Sequence, residues 1–241
     1  KEKFNRKSLV VPNVMDFDKE FGNVTEKNKH LKQYLGYNND DILLFQITRI
    51  VSRKAIEVAI ELLPKLEDER INLVITGSAA DDEGQIYYNK LINLIHDLKL
   101  GNRVRFASDL FHNKGLSGDN GEIRFSLSDA YAQATACTYF STYEGFGNAF
   151  VEAILSKTPI FVNNYKPVYW PDIGSKGFKT VMLENNQLTD EKVAQMKEII
   201  FNENLAKEIA EYNFQLGKKY FSYDTLEEKL NLLISKAKKS V

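Results

Sequence analysis

The sequence predicts an α/β protein, a parallel β-sheet with helices on both of its faces. Three observations lead there. Short, nearly continuous apolar runs recur along the chain, as expected of strands buried on both sides. Each run feeds a segment whose apolar residues keep helical spacing. Strand and helix alternate about five times in this way, the order that builds one parallel sheet.

The first strand is residues 42–48, Ile-Leu-Leu-Phe-Gln-Ile-Thr. Residues 49–54 turn from it into a helix carrying Ile56, Ala59, Ile60 and Leu63 on one face. A second strand, 71–76, ends at Gly77, and a helix follows over 83–98 with Gly101 just past its end as a stop signal. The third strand is 103–107. Residues 111–124 are rich in Gly, Asn and Asp and read as loop. A short helix over 127–134 precedes a strand at 136–140, and two more strands are expected at 159–162 and 180–183. From Thr189 onward three helical patterns run to the end, the last opened by the capping-box pattern Thr225-Leu226-Glu227-Glu228. Ahead of the sheet, residues 9–17 read as a strand that turns at Pro12-Asn13, and 24–39 as a short charged helix with a loop. The expected organisation is a leading segment (1–40), a Rossmann-like domain (41–222) and an appended C-terminal helix (223–241).

Composition bounds what such a chain does. Its 241 residues are 43% hydrophobic and 27% charged, ordinary for a soluble globular protein with a sizeable core. A net charge of −1 provides no basic field for nucleic acid, and no apolar run approaches the length of a membrane span. The lone cysteine, Cys137, lies in an apolar run as a buried thiol would, and a reducing cytoplasm fits. Three histidines show no metal-ligand spacing; His30 and His96 read as surface residues and His112 falls in the loop. The Gly115 to Gly121 stretch has too few acidic residues for a calcium loop.

Chemistry concentrates in Ser141-Thr142-Tyr143-Glu144-Gly145-Phe146-Gly147-Asn148-Ala149-Phe150-Val151-Glu152. A strand ending in Gly-x-Gly and opening a helix points backbone N–H groups at open space, a ready anion site. Glu144 and Glu152 bracket that site. Neither can face a phosphate without repulsion, so functional carboxylates here would accept hydrogen bonds from hydroxyls. A ligand with hydroxyls at both ends and phosphates between them is a nucleoside-diphosphate sugar. A plain strand–turn–helix with glutamates near the helix start would show the same two residues.

Two glutamates at this spacing around Gly-Phe-Gly, after Ser141, resemble the donor-site signature of retaining glycosyltransferases of family four. The resemblance implies the two-domain GT-B fold, with this chain as its C-terminal, donor-binding half. Arg49, just beyond the first strand, and Lys54 resemble the cation pair that the family sets on the donor diphosphate. By the same likeness Glu152 would take the ribose hydroxyls and Glu144 the sugar hydroxyls. The amides of Phe146, Gly147 and Asn148 beside Gly145 would meet sugar and phosphate. Backbone near Leu110 would read the base, and Gly77 would keep the crevice floor clear. Departures from the family pattern are Val14 after Asn13, Ala55 after Lys54, Phe140 for proline, and Thr158 before Pro159. The aromatics of the 167–172 run are expected in the core. No cofactor or metal is expected; the donor itself is the ligand.

The resemblance also implies an acceptor-binding N-terminal domain that these residues lack, since only 41 precede the first strand of the sheet, and peripheral membrane association through that missing half. The opening Lys1, without methionine, fits a fragment or a processed chain. Other readings stay open: a non-catalytic nucleotide-sugar binding module, or a sugar epimerase or phosphorylase on a similar fold. A dinucleotide-binding dehydrogenase is excluded, because Thr48-Arg49-Ile50-Val51-Ser52-Arg53 contains no glycine where that motif needs three.

Overall fold

A computed structural model describes residues 10–111 and 124–238. Six parallel strands, β1 (Ile42–Gln46), β2 (Ile71–Ile75), β3 (Val104–Phe106), β4 (Ala136–Tyr139), β5 (Ile160–Asn163) and β6 (Val181–Leu183), lie in the order β3-β2-β1-β4-β5-β6. That order reverses direction between β1 and β4, whose register pairs Leu44 with Ala136 and Phe45 with Cys137. In open α/β sheets the crevice beyond the carboxyl ends of the strands at such a reversal is where ligands bind.

Alternation along the strands explains their unbroken apolar runs. Leu44, Ala136 and Phe161 face one core, shared with α2 (Ile56–Lys65), α3 (Asp82–Asp97) and α6 (Asp190–Phe201). Leu43, Phe45, Cys137, Ile160 and Val162 face the other. That second core is closed by α1 (Leu31–Leu35), α4 (Leu127–Gln133), α5 (Asn148–Leu155) and the end of α7 (Glu203–Phe221). Both faces of the central strands are therefore covered, while the edge strand β3 exposes Arg105. A last helix, α8 (Tyr223–Lys238), follows α7.

Four expectations need correction. Among the described residues, 10–17 form no strand: Met15 makes only an isolated bridge to Ser222. Pro12, which has no N–H to give a ladder, and Asn13 break the apolar run between Val11 and Val14. The last helix starts at Tyr223, and Ser222, not Thr225, is placed to cap it, its Oγ accepting from Thr225 N–H at 3.4 Å. Thr225 already lies inside the helix, donating its hydroxyl to Lys219 O at 2.9 Å. The chain leaves α3 through Lys99, which takes the left-handed turn at φ 57° in place of Gly101. Of the 167–172 aromatics only Tyr169 is core; Trp170 is half exposed, in the turn Tyr169–Ile173. His112 and the Gly115 to Gly121 stretch lie outside the described residues. Cys137 is buried, and His30 and His96 are exposed, as the sequence implies.

Candidate functional site

The site is built where β1 and β4 part. After β1 the backbone passes Thr48 and Arg49 into a 3-10 turn, Ser52–Lys54, that ends at Ala55 with φ 45°. A left-handed alanine is strained by about 1–2 kcal/mol, and here that strain accompanies the turn from which Lys54 points into the molecule. After β4 the chain passes Ser141 and runs through Glu144 to Gly147, the N-cap of α5. The two turns are stitched together. Thr142 N–H donates to Arg53 O at 2.8 Å, and the Arg53 guanidinium donates to Tyr143 O at 3.0 Å.

Lys54 and Glu144 meet in the interior, their side chains 10% and 9% exposed, with Nζ 2.5 Å from Oε1. Arg53 Nη1 lies 2.8 Å from Oε2, so each oxygen of Glu144 has its own cation. The ring of Tyr139 lies under Lys54 Nζ, 5.0 Å away, as in a cation–π contact. Burial alone would push the Glu144 carboxyl up, but the Lys54 and Arg53 bonds hold it below the ordinary glutamate value. Burial also pulls the Lys54 ammonium below the ordinary lysine value, more than Glu144 restores it. Two cations against one carboxylate leave this cluster with net positive charge.

The cleft has a volume of about 430 Å³ and is lined by Lys54, Tyr139, Glu144, Asn13 and residues 145–149. Helix α5 begins there with no acidic residue in its first turn and no side-chain cap, so its leading amides face the space. Gly147 needs to be glycine: its φ is +120°, and a Cβ would stand 2.3 Å from Tyr165 Oη. Gly145 does not, since a Cβ there meets nothing within 4 Å. Phe146 packs its ring on Phe221 and gives its carbonyl to Tyr165. Asn148 accepts from Asn13 Nδ2 at 2.9 Å.

A second cleft, of about 300 Å³, lies on the other side of the α5 N-terminus and shares Ala149 with the first. Thr48, Arg49, Thr76, Gly77, Phe111 and Glu152 line it. Arg49 is exposed and makes no ion pair among the described residues. Gly77 holds β1 and β2 together at the floor, because a Cβ would overlap Thr48 O at 2.0 Å. Glu152 Oε2 accepts from Tyr131 Oη at 3.0 Å, and burial pushes its carboxyl above the ordinary glutamate value despite that bond. The buried Thr48 Oγ1 in this cleft has no partner. Leu110 is less well placed than expected. Its N–H donates to Ala107 O and its carbonyl accepts from Phe125 N–H, and Phe111 stands in the cleft wall instead.

The structure thus gathers Lys54, Glu144, Gly145, Phe146, Gly147 and Asn148 around one cleft, and Arg49, Gly77 and Glu152 around its neighbour. Arg49 and Lys54 line different clefts, near enough that the Arg49 charge helps lower the Lys54 value. Sequence reasoning missed Arg53, Tyr139, Tyr131 and Asn13. Arg53 stands next to Lys54 in the chain, but nothing in its type distinguishes it from a solvated charge. Among the described residues no group of His, Cys, Asp and Glu could hold a metal ion, and no helix is long and apolar enough to cross a membrane.

Glu152 and Glu144 differ in what ionisation does to the fold. An unfolded glutamate titrates at about pH 4.3. The folded Glu152 value is raised, so between the two values the native state binds more protons and stability falls as pH rises. Glu152→Gln is therefore expected to raise the thermal midpoint at neutral pH, by about 1 kcal/mol equivalent. The gain should vanish as pH drops through the window in which Glu152 protonates. Calorimetric melting of both proteins from pH 4 to 7, roughly the span from the unfolded value upward, checks it; an unchanged or lowered midpoint at neutral pH refutes it.

The paired clefts lie at the strand-order reversal of a doubly wound sheet, the place where folds of this kind bind ligands. The chain belongs to the group 1 glycosyltransferases, the family described as "Glycosyl transferases group 1", whose model matches residues 27–216. It is 33% identical to the mannosylglucosylglycerate synthase of Petrotoga mobilis, over 76% of this chain and 45% of that protein. The identity to the Thermotoga maritima enzyme of the same name is 31%, over 96% of this chain and 57% of that one. The chain spans about half the length of these relatives. Among solved structures it resembles Anabaena Alr3699/HepE in complex with UDP and glucose, with a TM-score of 0.68 at 18% identity. That match covers 92% of this chain and 55% of the other. WaaG, a glycosyltransferase involved in lipopolysaccharide biosynthesis, gives 0.63 at 18%, over 92% and 54%. At these identities the likeness is one of fold: the chain has the architecture of one half of a GT-B enzyme.

Proposed function

We propose that this chain is the donor-binding half of a retaining hexosyltransferase that takes its sugar from a nucleoside diphosphate. One observation carries the reading. Glu144 and Glu152 stand in two adjoining clefts on either side of an uncapped helix N-terminus, with Lys54 in one and Arg49 in the other. A nucleotide sugar laid across Ala149 would put ribose hydroxyls at Glu152, the diphosphate over the α5 amides between Arg49 and Lys54, and sugar hydroxyls at Glu144. The ionised Glu144 keeps lone pairs for hydroxyls beyond its two cation bonds. Leaving-group charge is met by Arg49, Lys54 and the helix terminus, so transfer needs no metal. The acceptor would be held by a second half, as the length of the relatives suggests, and any membrane association would come through it. The buried, unpaired Cys137 suits a cytoplasmic setting.

The two carboxylates divide the ligand, and that is testable. Glu152→Ala is expected to weaken a nucleoside diphosphate and its hexose conjugate alike. Glu144→Ala is expected to leave the plain diphosphate nearly untouched and weaken the conjugate on the order of tenfold to a hundredfold. Calorimetric titration of both ligands against both variants gives the ratio of affinities. A ratio that moves the same way in both variants refutes the division.

A further inference from the structure

Glu152 is an unusual carboxylate. It is mostly buried, its pKa is raised, and among the described residues it has no cation partner. Its one side-chain hydrogen bond comes from Tyr131 Oη, 3.0 Å from Oε2. The same hydroxyl lies 3.2 Å from Ala149 O, the residue that borders both clefts.

The Tyr131 side chain is fixed from several sides. A capping box between Ser126 and Asp129 fixes the start of α4, and Asp129 also accepts from Asn28 Nδ2 at 2.9 Å. Thr158 Oγ1 donates to Tyr131 O, and the ring of Phe21 lies 5.5 Å from the Tyr131 ring. Burial keeps the phenol protonated, so toward a carboxylate it acts as donor only. Its single proton, already able to rest on Ala149 O, is nearer to Glu152.

We propose that Tyr131 is a positioning residue for nucleotide recognition: its hydroxyl holds Glu152 Oε2 so that Oε1 is presented to a vicinal diol, the 2′- and 3′-hydroxyls of a ribose. This rests on the assignment of Glu152 to the ribose end of the donor. Tyr131 does not touch the ligand. It fixes the orientation of the carboxylate and helps keep it charged in a cleft where burial favours the neutral acid. The unpartnered Thr48 Oγ1 and the exposed Arg49 in the same cleft fit a polar ligand there.

Tyr131→Phe keeps the ring and removes the donor. Uridine diphosphate and its 2′,3′-dideoxy analogue are titrated against wild type and variant by calorimetry, with the guanosine pair alongside because the base is open. Wild type is expected to prefer the ribonucleotide by about tenfold or more, and the variant to lose most of that preference, about threefold or more. A merely structural role would weaken both analogues together and leave their ratio intact. An unchanged ratio in Tyr131→Phe overturns the proposal while sparing the ribose assignment. A wild type indifferent to the diol with both bases removes the ribose assignment and the proposal with it. Should the variant fail to fold, wild type labelled with ¹³C at tyrosine Cζ gives a second reading. The Tyr131 resonance is expected to move with the ribonucleotide and much less with the dideoxy form; equal shifts overturn the proposal.

Discussion

Lys54→Met is expected to weaken nucleoside-diphosphate binding by about tenfold to a hundredfold, the worth of one or two charge-assisted contacts. It is also expected to destabilise the fold, for a separable reason. Glu144 is 9% exposed in its side chain and holds two cations. Removing the only partner of a buried charge costs about 3–5 kcal/mol. Because Arg53 remains on Oε2, about 2–3 kcal/mol is the expected loss here. The double variant Lys54→Met/Glu144→Gln separates the two effects. With both charges gone, stability should return close to wild type, since a neutralised pair is often as stable as the ion pair. Diphosphate affinity should stay low. Raised salt should narrow the affinity gap between wild type and Lys54→Met, as the lost term is electrostatic. The sign with pH follows from the depressed Glu144 value. Its share of stability is present above the unfolded value and lost as pH falls through the folded one. That acid limb should therefore move up in pH in Lys54→Met and disappear in the double variant. Thermal melts and calorimetric titration of the three proteins decide the matter. Recovery of affinity in the double variant would leave Lys54 with a structural role only.

How much of this was readable in the chain depends on the range of the forces involved. Strands β1 to β6 and helices α2 to α7 follow from apolar periodicity, because each must bury a face and burial is written locally. The Glu144–Gly147 turn was legible for the same reason: glycine spacing and a strand-to-helix change are local signals. Ends and caps were less so. Lys99 and Ala55 take left-handed backbone where glycine is the usual choice, and only the packed fold imposes that. Ser222 is placed to cap α8, because Met15 N–H on Phe221 O fixes the chain just before it.

Partners were the least legible part. The Arg53–Glu144 and Tyr131–Glu152 contacts join residues 91 and 21 positions apart (144 − 53 and 152 − 131) across different elements. No periodicity brings them together; the strand-order reversal does. Lys54 shows the point most clearly. Its sequence position suggested a diphosphate ligand, whereas in the fold its first partner is a buried glutamate. In the proposed reading the Lys54 ammonium, with three N–H donors, serves Glu144 and the diphosphate at once.

The glycines of the turn give the last expected result, and they are expected to behave oppositely. Gly147→Ala should lower stability by about 3 kcal/mol, or about 6–12 °C in melting temperature for a chain of this size. Its φ of +120° is one that side chains rarely adopt, and the new Cβ would press to 2.3 Å from Tyr165 Oη. Tyr165 is fully buried and donates that hydroxyl to Phe146 O, so it has little room to give way. Gly145→Ala should leave the melting temperature within about 2 °C, since surface substitutions without such features stay within about 0.5 kcal/mol. Its Cβ would enter open space beside Glu144 with no neighbour within 4 Å. If that space is where the transferred sugar and the diphosphate lie, the methyl should weaken the nucleotide sugar about tenfold or more, with no change in the fold. Melting curves and titrations of both variants decide it. A Gly145→Ala protein that melts and binds like wild type would show that no ligand approaches the turn there, and the sugar would have to be sought elsewhere in the cleft.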